Sequence, residues 1–247
     1  MDADLGGGVL AGRTAVVTGA SRGLGRAICL ALANDGVRVL AAARGAADLE
    51  TLAAEHPAIT PWVADVTDPA FLERLAGEPL DILVNNAGGN RPQPMVDVTE
   101  DTLDWLWGLN VRSAYLASQA AVKSMISRKI GGSIVHITSQ MGHVGSPNRT
   151  VYCLTKHALE GLAKAMAVEL APHGIRVNTV APTFIETPLT APMLADPDFR
   201  SFVLDRIPLG RLGQPEDVAA AVAYLCGPGG AMVTGTSLKV DGGWTAQ

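Results

Sequence analysis

Short apolar runs alternate with longer segments of helical periodicity along most of the chain. Most of the apolar runs are continuous rather than alternating, which is typical of strands that are covered on both faces of a sheet. These runs predict seven strands, which are Thr14–Thr18, Arg38–Ala42, Ile59–Ala64, Asp81–Val84, Ser133–Thr138, Ile175–Val180 and Ser237–Val240.

The intervening segments carry helix signals. Residues 214–217, for example, place a proline and two acids in a first turn. The alternation of strands and helices predicts an α/β fold, a single-domain Rossmann-type doubly wound parallel sheet with three layers and about seven strands. The six predicted helices are Gly23–Asn34, Ala47–Glu55, Pro69–Ala76, Thr99–Ser127, Thr150–Ala171 and Pro215–Cys226.

Residues 183–213 depart from this alternation, because a proline-rich stretch separates a predicted strand from the next helix. An insertion of this kind follows the carboxyl end of its strand, where open α/β sheets bind ligands. We interpret residues 183–213 as a mobile substrate lid, with an ordinary packed excursion as the alternative. No linker or repeat interrupts the chain, so residues 1–247 are predicted to form one domain.

Composition narrows the class of protein. Of the 247 residues, 48% are hydrophobic and 17% are charged, which excludes a disordered chain and fits a large buried core. The formal net charge is −5 without a basic stripe, so no nucleic-acid partner is expected. No apolar stretch approaches the ~18 residues of a membrane span. The N-terminal segment MDADLGGGVLAGR lacks the features of a secretory signal, and we expect a cytoplasmic protein.

The cysteines and histidines carry no metal-binding pattern. Cys29, Cys153 and Cys226 are widely spaced and include no Cys-x-x-Cys pair, which favours small core residues in a reducing compartment. The five histidines show no ligand spacing with each other or with the cysteines, and no metal site is predicted.

A glycine-rich turn, Thr-Gly-Ala-Ser-Arg-Gly-Leu-Gly, follows the first predicted strand at residues 18–25. Its first glycine permits a tight bend, its second lets the backbone approach a pyrophosphate, and its third lets the next helix pack closely. The amino end of that helix then faces the phosphates of a dinucleotide. The candidate cofactor residues in this turn are Gly19, Ser21, Arg22, Gly23, Leu24 and Gly25.

The end of the second predicted strand indicates which dinucleotide is bound. An acid at this place commonly binds the ribose 2′-hydroxyl of NAD. The chain has Ala43 there, followed by Arg44. We expect no acid to repel a 2′-phosphate, and the guanidiniums of Arg22 and Arg44 are placed to pair with one. The sequence therefore favours NADP(H), with NAD(H) as the alternative.

Tyr152 and Lys156 are four residues apart in a predicted helix, so the phenol and the ammonium share one helix face. A free tyrosine has a pKa near ~10, and the lysine cation is expected to lower the pKa of Tyr152 toward neutrality. Ser139 follows a strand-like run and offers a hydroxyl to the same reacting oxygen. The three side chains predict proton transfer to or from an alcohol or carbonyl oxygen.

Together, the motifs resemble the short-chain dehydrogenase/reductase family over almost the whole chain. One departure is Thr183, which follows Pro182 where the family usually has glycine, so the nicotinamide side of the pocket is expected to differ. The matching motifs, in the family's order, are TGASRGLG at 18–25, Asp65-Val66, Asn85-Asn86-Ala87-Gly88, Asn110, Ser139, Tyr152, Lys156 and Asp241-Gly242-Gly243.

The resemblance implies a role for each matching residue. Tyr152 is the implied general acid/base, Lys156 binds the nicotinamide ribose, and Ser139 steadies the substrate oxygen. Asn110 is implied to hold a water in a proton relay from Lys156, with backbone hydrogen bonding as its alternative role. Asp65 is implied to contact the adenine or, alternatively, to cap the next helix. The other implied cofactor contacts are Val66, Asn86, Ala87, Gly88, Pro182, Ile185 and Thr187.

The implied reaction transfers a hydride between a nicotinamide and a carbonyl carbon. The expected substrate is a sugar, polyol, sugar acid or keto acid, because the candidate pocket residues are polar and partly cationic, and the chain resembles gluconate-dehydrogenase-like members. The alternatives are a 3-oxoacyl-carrier-protein reductase, which the segments FIET and GRLGQPEDV resemble, and a non-catalytic NADP(H)-binding regulatory protein. The candidate substrate residues are Asn90, Arg91, Gln140, Met141, His143 and Arg149.

Many small residues occur in the two long predicted helices, including Ala117, Ala121, Ala163 and Ala167. Small residues permit close helix packing, either within the domain or between subunits. The resemblance implies a homotetramer, with those helices at one interface and a homodimer as the alternative.

Overall fold

The structure, a computed structural model, describes residues 8–247. The first seven residues, on which the expectation about a secretory signal partly rests, lie outside the described residues. All strand pairs are parallel. The strands are β1 (Thr14–Thr18), β2 (Arg38–Ala43), β3 (Ile59–Val63), β4 (Ile82–Asn85), β5 (Gly132–Ile137), β6 (Ile175–Pro182) and β7 (Ser237–Val240).

These strands form one sheet in the order β3-β2-β1-β4-β5-β6-β7. The strand order reverses between β1 and β4, and open α/β sheets bind ligands at such a reversal, beyond the carboxyl ends of the strands. The helices are α1 (Gly23–Asn34), α2 (Ala46–Glu55), α3 (Pro69–Gly77), α4 (Glu100–Trp107), α5 (Ser113–Arg128), α6 (Thr150–Leu170), α7 (Ala191–Leu194), α8 (Pro197–Leu204) and α9 (Pro215–Cys226).

Both faces of the sheet are buried, as the continuous apolar runs predict. Val17 and Val84 belong to the core that α1, α2 and α9 cover, whereas Val16 and Leu83 belong to the core beneath α3, α5 and α6. Successive residues of a strand point to opposite faces, so a strand that is covered twice has to be apolar at every position. The predicted three-layer, doubly wound fold is confirmed.

The structure differs from the prediction at one long helix. The predicted helix Thr99–Ser127 is wrong as a single helix, because a π-helical turn at Gly108–Arg112 separates α4 from α5. Widened turns of this type are frequent at functional sites, and this one carries Asn110. Apolar periodicity continues through such a turn, so the sequence pattern does not reveal it.

The segment 183–213 also contains structure that the prediction left out, namely α7 and α8. Helix α8 begins at Pro197, and the Asp196 side chain accepts hydrogen bonds from the backbone N–H groups of Asp198 and Phe199. An aspartate followed by proline is an available signal for a helix start. Within residues 8–247, no helix combines the length and the apolar character needed to cross a membrane.

Candidate active site

Helix α6 presents Tyr152, Lys156 and Glu160 at intervals of four residues, so the three side chains lie along one face. Lys156 and Glu160 are buried, and Tyr152 is partly buried. Glu160 is not among the residues predicted from the sequence, although its position one turn after Lys156 was the available signal.

The ammonium of Lys156 is held at the carboxyl end of β5. Its Nζ donates a hydrogen bond to the carbonyl oxygen of Ile137 at 2.9 Å and lies 5.5 Å from the ring centre of Tyr152. Burial lowers the pKa of Lys156 to about 8, and the charge of Glu160 opposes that change by raising it. The lysine is therefore fixed beside the tyrosine ring and titrates near the working pH range.

The pKa of Tyr152 is raised to about 12, chiefly by burial, while a hydrogen bond with Ser139 and the charge of Arg149 act to lower it. The expectation that the pKa of Tyr152 falls toward neutrality is wrong for this structure, because burial outweighs the lowering by neighbouring groups. Desolvation of the phenolate dominates, and the ammonium is directed to the Ile137 carbonyl. A phenol with this pKa is protonated at neutral pH and is a weaker acid than free tyrosine.

Ser139 lies two residues after the end of β5, and its hydroxyl reaches Tyr152. The Ser139 Oγ accepts a hydrogen bond from the backbone N–H of Met141 at 3.1 Å and donates to the Gln140 side-chain oxygen at 2.8 Å. These bonds fix the serine side chain in a short 3-10 turn between β5 and α6. The structure therefore brings together the predicted serine, tyrosine and lysine.

Asn110 acts as a clamp on the loop that follows β4. Its Oδ1 accepts from the backbone N–H of Gly89 at 2.8 Å, and its Nδ2 donates to the Gly89 carbonyl at 3.0 Å and to Thr155 Oγ1 at 3.1 Å. A Cβ at Gly88 would lie 3.2 Å from Asn110 Oδ1 and 3.8 Å from Lys156 Nζ. The loop therefore passes close to the lysine, and the proton relay assigned to Asn110 stays a prediction.

The glycine-rich turn lies between β1 and α1, as predicted. Gly19 and Gly23 have φ of +63° and +55°, in the left-handed region that favours glycine. A Cβ at Gly25 would lie only 2.2 Å from the Gly19 carbonyl oxygen. Within the described chain, no side chain caps the amino end of α1, so its backbone N–H groups are directed outward as in anion-binding helices. The turn fits a dinucleotide pyrophosphate.

The loop after β4 is fastened to this turn. Thr18 Oγ1 accepts hydrogen bonds from the backbone N–H groups of Asn86 and Ala87, both at 3.0 Å. The Asn86 side chain in turn donates to the carbonyls of Thr18 and Gly19 at 2.9 and 3.0 Å. These bonds place the predicted cofactor residues of both loops along one edge of the sheet.

The acid-free surroundings expected for Arg44 are not found. The Arg44 guanidinium lies 3.9 Å from the carboxylate of Asp65, which comes from the end of the neighbouring strand β3. Asp65 Oδ1 accepts from the backbone N–H and hydroxyl of Thr67, and these bonds chiefly lower the pKa of Asp65. Asp65 thus stabilises its own loop, whereas the Arg44 side chain is 82% exposed.

The lid segment packs against the tyrosine. Phe184 packs edge-to-face with Phe199 and at a tilt against Trp244, at ring-centre distances of 5.6 and 5.7 Å, in a cluster that Tyr152 joins. A Cβ at Gly23 would lie 3.5 Å from Thr187, so the start of the lid reaches the glycine-rich turn. This apolar cluster is suited to exclude water from the phenol.

Thr183 adopts no left-handed backbone, so the glycine usual in the family is not required there for its conformational freedom. Its backbone N–H donates to the Val240 carbonyl at 3.2 Å. The Thr183 hydroxyl is buried and makes no hydrogen bond within the described chain. The substitution therefore adds a polar group to the pocket wall beside Pro182 and leaves the backbone path unstrained.

The predicted substrate residues divide into two groups. Arg91 pairs with Asp101 at 3.4 Å and lies over the Trp105 ring at 4.0 Å, and His143 directs its Nε2 to Ser237 and Glu160. Both side chains are therefore engaged with other groups of the described chain. The remaining candidates, which lie on the loops around Ser139 and Tyr152 or after β4, are Asn90, Gln140, Met141 and Arg149.

Comparison with known proteins identifies the class of protein to which this chain belongs. The model of the family described as Enoyl-(Acyl carrier protein) reductase matches residues 19–245. L-xylulose reductase of Bos taurus is 42% identical over 239 residues, which cover 96% of this chain and 98% of the relative. D-erythrulose reductase of Gallus gallus is 41% identical over 235 residues, which cover 94% and 96%.

A solved structure agrees with these relatives. An Agrobacterium tumefaciens protein with bound NADP, provisionally named a 2-deoxy-D-gluconate 3-dehydrogenase, has a TM-score of 0.92 and 37% identity over 96% of this chain and 98% of its own. The chain therefore belongs to the short-chain dehydrogenase/reductase family and is an oxidoreductase. The predicted family and enzyme class are confirmed.

Proposed function

We propose that the protein interconverts a carbonyl group and a secondary alcohol in a small polar substrate, a sugar, polyol, sugar acid or keto acid, with NADP(H) as cofactor. The observation that carries the proposal is the convergence of Ser139, Tyr152 and Lys156 at the carboxyl end of the sheet, next to the glycine-rich turn. The sugar and polyol reductases among the relatives support the substrate class.

The roles of the side chains follow from their positions. A bound nicotinamide supplies or takes up the hydride. In the reducing direction the protonated phenol of Tyr152 donates its proton to the substrate oxygen, and the Ser139 hydroxyl bonds the same oxygen. The ammonium of Lys156 stabilises the phenolate that proton donation leaves behind. The aromatic cluster of the lid keeps water from this proton transfer.

Replacing Tyr152 by phenylalanine removes the proton donor and leaves the packing of the ring. We expect Tyr152→Phe to lower kcat by at least ~100-fold while NADPH binding, measured by fluorescence, stays close to normal. Tyr224→Phe is the matched control, because Tyr224 is 47% exposed on α9. Near-normal turnover of Tyr152→Phe would remove this residue from the mechanism.

The glycine-rich turn and Arg44 support NADP(H) as the cofactor. Arg22 and Arg44 are exposed at the edge where the ribose of a dinucleotide would lie, and a guanidinium is suited to a 2′-phosphate. NADP is bound in the Agrobacterium relative. Asp65 competes for Arg44 only over a distance of 3.9 Å on the surface, where ion pairs contribute little.

Arg44→Ala should therefore reduce the preference for NADPH over NADH, because a charge-assisted phosphate contact is lost. We expect the ratio of the two kcat/KM values to fall by about tenfold or more. Arg38→Ala is the control, since Arg38 lies at the opposite end of β2, the strand that Arg44 follows. An unchanged ratio in Arg44→Ala, measured from initial rates with both cofactors, would contradict the assignment.

Arg149 is the cation that we propose for substrate recognition. It lies three residues before Tyr152 and is partly buried, and its Nη2 contacts the Met193 sulfur of the lid at 3.6 Å. No ion pair within residues 8–247 includes it. Burial lowers its pKa. A partly desolvated guanidinium without a carboxylate partner is suited to bind an oxygen-rich or anionic group of the substrate.

The substrate class is tested by NADPH absorbance with a panel of ketoses, keto acids and an acetoacetyl thioester, and with NADP+ and polyols or sugar acids in the reverse direction. We expect turnover of polyhydroxylated or acidic compounds. Exclusive use of the thioester would favour a 3-oxoacyl-carrier-protein reductase. Tight NADPH binding without any turnover would favour a regulatory protein.

For substrates with a carboxylate, Arg149→Met should raise KM by roughly 10- to 100-fold, because a hydrogen bond to a charged group is lost. The KM of neutral polyols should change much less. Arg91→Met is the matched control, since Arg91 is already paired with Asp101. Equal effects of Arg149→Met on acidic and neutral substrates would rule out its recognition of an anion.

We also propose a homotetramer in a reducing, cytoplasmic environment. Trp107, Tyr115 and Leu154 expose between 43% and 50% of their surface on α4, α5 and α6, and Cys29, Cys153 and Cys226 are all free thiols. Light scattering should give a mass of four times the 25.6 kDa of the chain. A mass of one or two chains would contradict the tetramer.

A further inference from the structure

A buried carboxylate lies one helical turn beyond Lys156. Glu160 is 6% exposed, and three hydroxyls donate to its two oxygens. Thr138 and Ser237 reach Oε1 at 2.6 and 3.2 Å, and Thr179 reaches Oε2 at 2.8 Å. The donors come from the residue after β5, from β6 and from β7. Three separate elements therefore converge on this one side chain.

The charged and titratable neighbours of Glu160 within the described chain are few. His143, in the loop after β5, has its Nε2 at 3.3 Å from Glu160 Oε1 and at 2.9 Å from Ser237 Oγ. Lys156 lies on the same helix. The groups contributed by β6 and β7, Thr179 and Ser237, are neutral hydroxyls.

Lys156 has its own set of neighbours. It faces Tyr152 and Glu160 on α6 and His136 on β5. Burial lowers the pKa of His136 to about 4, so that imidazole is neutral in the working range and adds no charge. Glu160 is therefore the group that supplies negative charge to the buried ammonium.

Within residues 8–247, Lys156 and Glu160 form no direct ion pair with each other. The ammonium is bonded to the Ile137 carbonyl and the carboxylate to its hydroxyl donors. Glu160 consequently acts on the lysine through its electric field, and such a field is much stronger in a buried region than in water.

We propose that Glu160 is a positioning residue that acts through Lys156, its buried charge keeping the ammonium protonated beside Tyr152. The proposal rests on the proposed function insofar as Tyr152 and Lys156 carry out the proton transfer. The hydroxyl donors of Glu160, together with His143, hold the carboxylate one turn from Lys156. They also connect β5, β6 and β7 to α6, the helix that carries Tyr152 and Lys156.

The direction in which loss of the Glu160 charge changes the pKa of Lys156 follows from two opposing influences. Burial lowers the pKa of Lys156, and Glu160 raises it. A lysine is a cation below its pKa. Without the Glu160 charge, burial acts unopposed, so Lys156 loses its proton at a lower pH and the phenolate of Tyr152 loses its stabilising cation there.

The direct test is an NMR titration of the lysine ε-carbons in the cofactor-free protein, which has five lysines. Lys156→Met assigns the Lys156 signal. We expect the Lys156 midpoint to fall by about one pH unit in both Glu160→Gln and Glu160→Met, which remove the charge. It should stay near the native value in Glu160→Asp, which keeps the charge, and in the control Ser237→Ala.

The second readout is the pH profile of kcat/KM for carbonyl reduction. In the charge-removing variants, the decline at high pH should move to lower pH by the same amount, with rates at low pH nearly unchanged. The NMR titration requires no turnover, so failure of the proposed function leaves this test intact.

An unchanged Lys156 midpoint in either charge-removing variant would overturn the proposal, even if thermal stability fell, because Glu160 would then be purely structural. Glu160→Met decides the matter if Glu160→Gln does not fold, since the two variants differ in their hydrogen bonding but not in charge.

Discussion

The burial of one ammonium group, that of Lys156, is the constraint on which the rest of the site depends. A cation removed from water is destabilised by several kcal/mol unless polar groups surround it. The structure meets this requirement with the Ile137 carbonyl at the end of β5 and with the field of Glu160 one turn away. As a consequence, the Lys156 ammonium is held at a fixed distance from the Tyr152 ring.

This arrangement needs a rigid edge of the sheet, because several loops have to meet there. Side chains bonded to backbone groups supply the rigidity. Thr18 and Asn86 join the turn after β1 to the loop after β4, and Asn110 joins that loop to α6 through Thr155. The surface that fits a cofactor is thus joined by hydrogen bonds to α6, the helix that carries Tyr152 and Lys156.

The segment 183–213 packs onto the site beside Tyr152. Its aromatic cluster, with Phe184 at the centre, contacts the partly buried Tyr152, and desolvation is what raises the pKa of the phenol. Arg149 lies at the boundary between this apolar region and the loops of the sheet edge. The same burial that raises the pKa of Tyr152 also lowers the pKa of the Arg149 guanidinium.

The sequence by itself determined the fold class, most element bounds and the placement of Tyr152 and Lys156 on one helix face. Continuous apolar runs require strands that are covered on both faces, and the Tyr152–Lys156 spacing requires a shared helix face. Tertiary structure decided what these patterns do not encode. The π-helical turn at Asn110, the proximity of Asp65 to Arg44, and the pairing of Arg91 with Asp101 depend on contacts beyond local periodicity.

The electrostatics of the site are also decided by the tertiary structure. Glu160 reads in the sequence as one more charged helix residue, and only the convergence of β5, β6 and β7 makes it a buried partner of the lysine. The pKa values of Tyr152 and Lys156 likewise follow from desolvation, not from their spacing. The physical reason is that local sequence sets which groups are neighbours on a helix, whereas the packed structure sets how much water surrounds them.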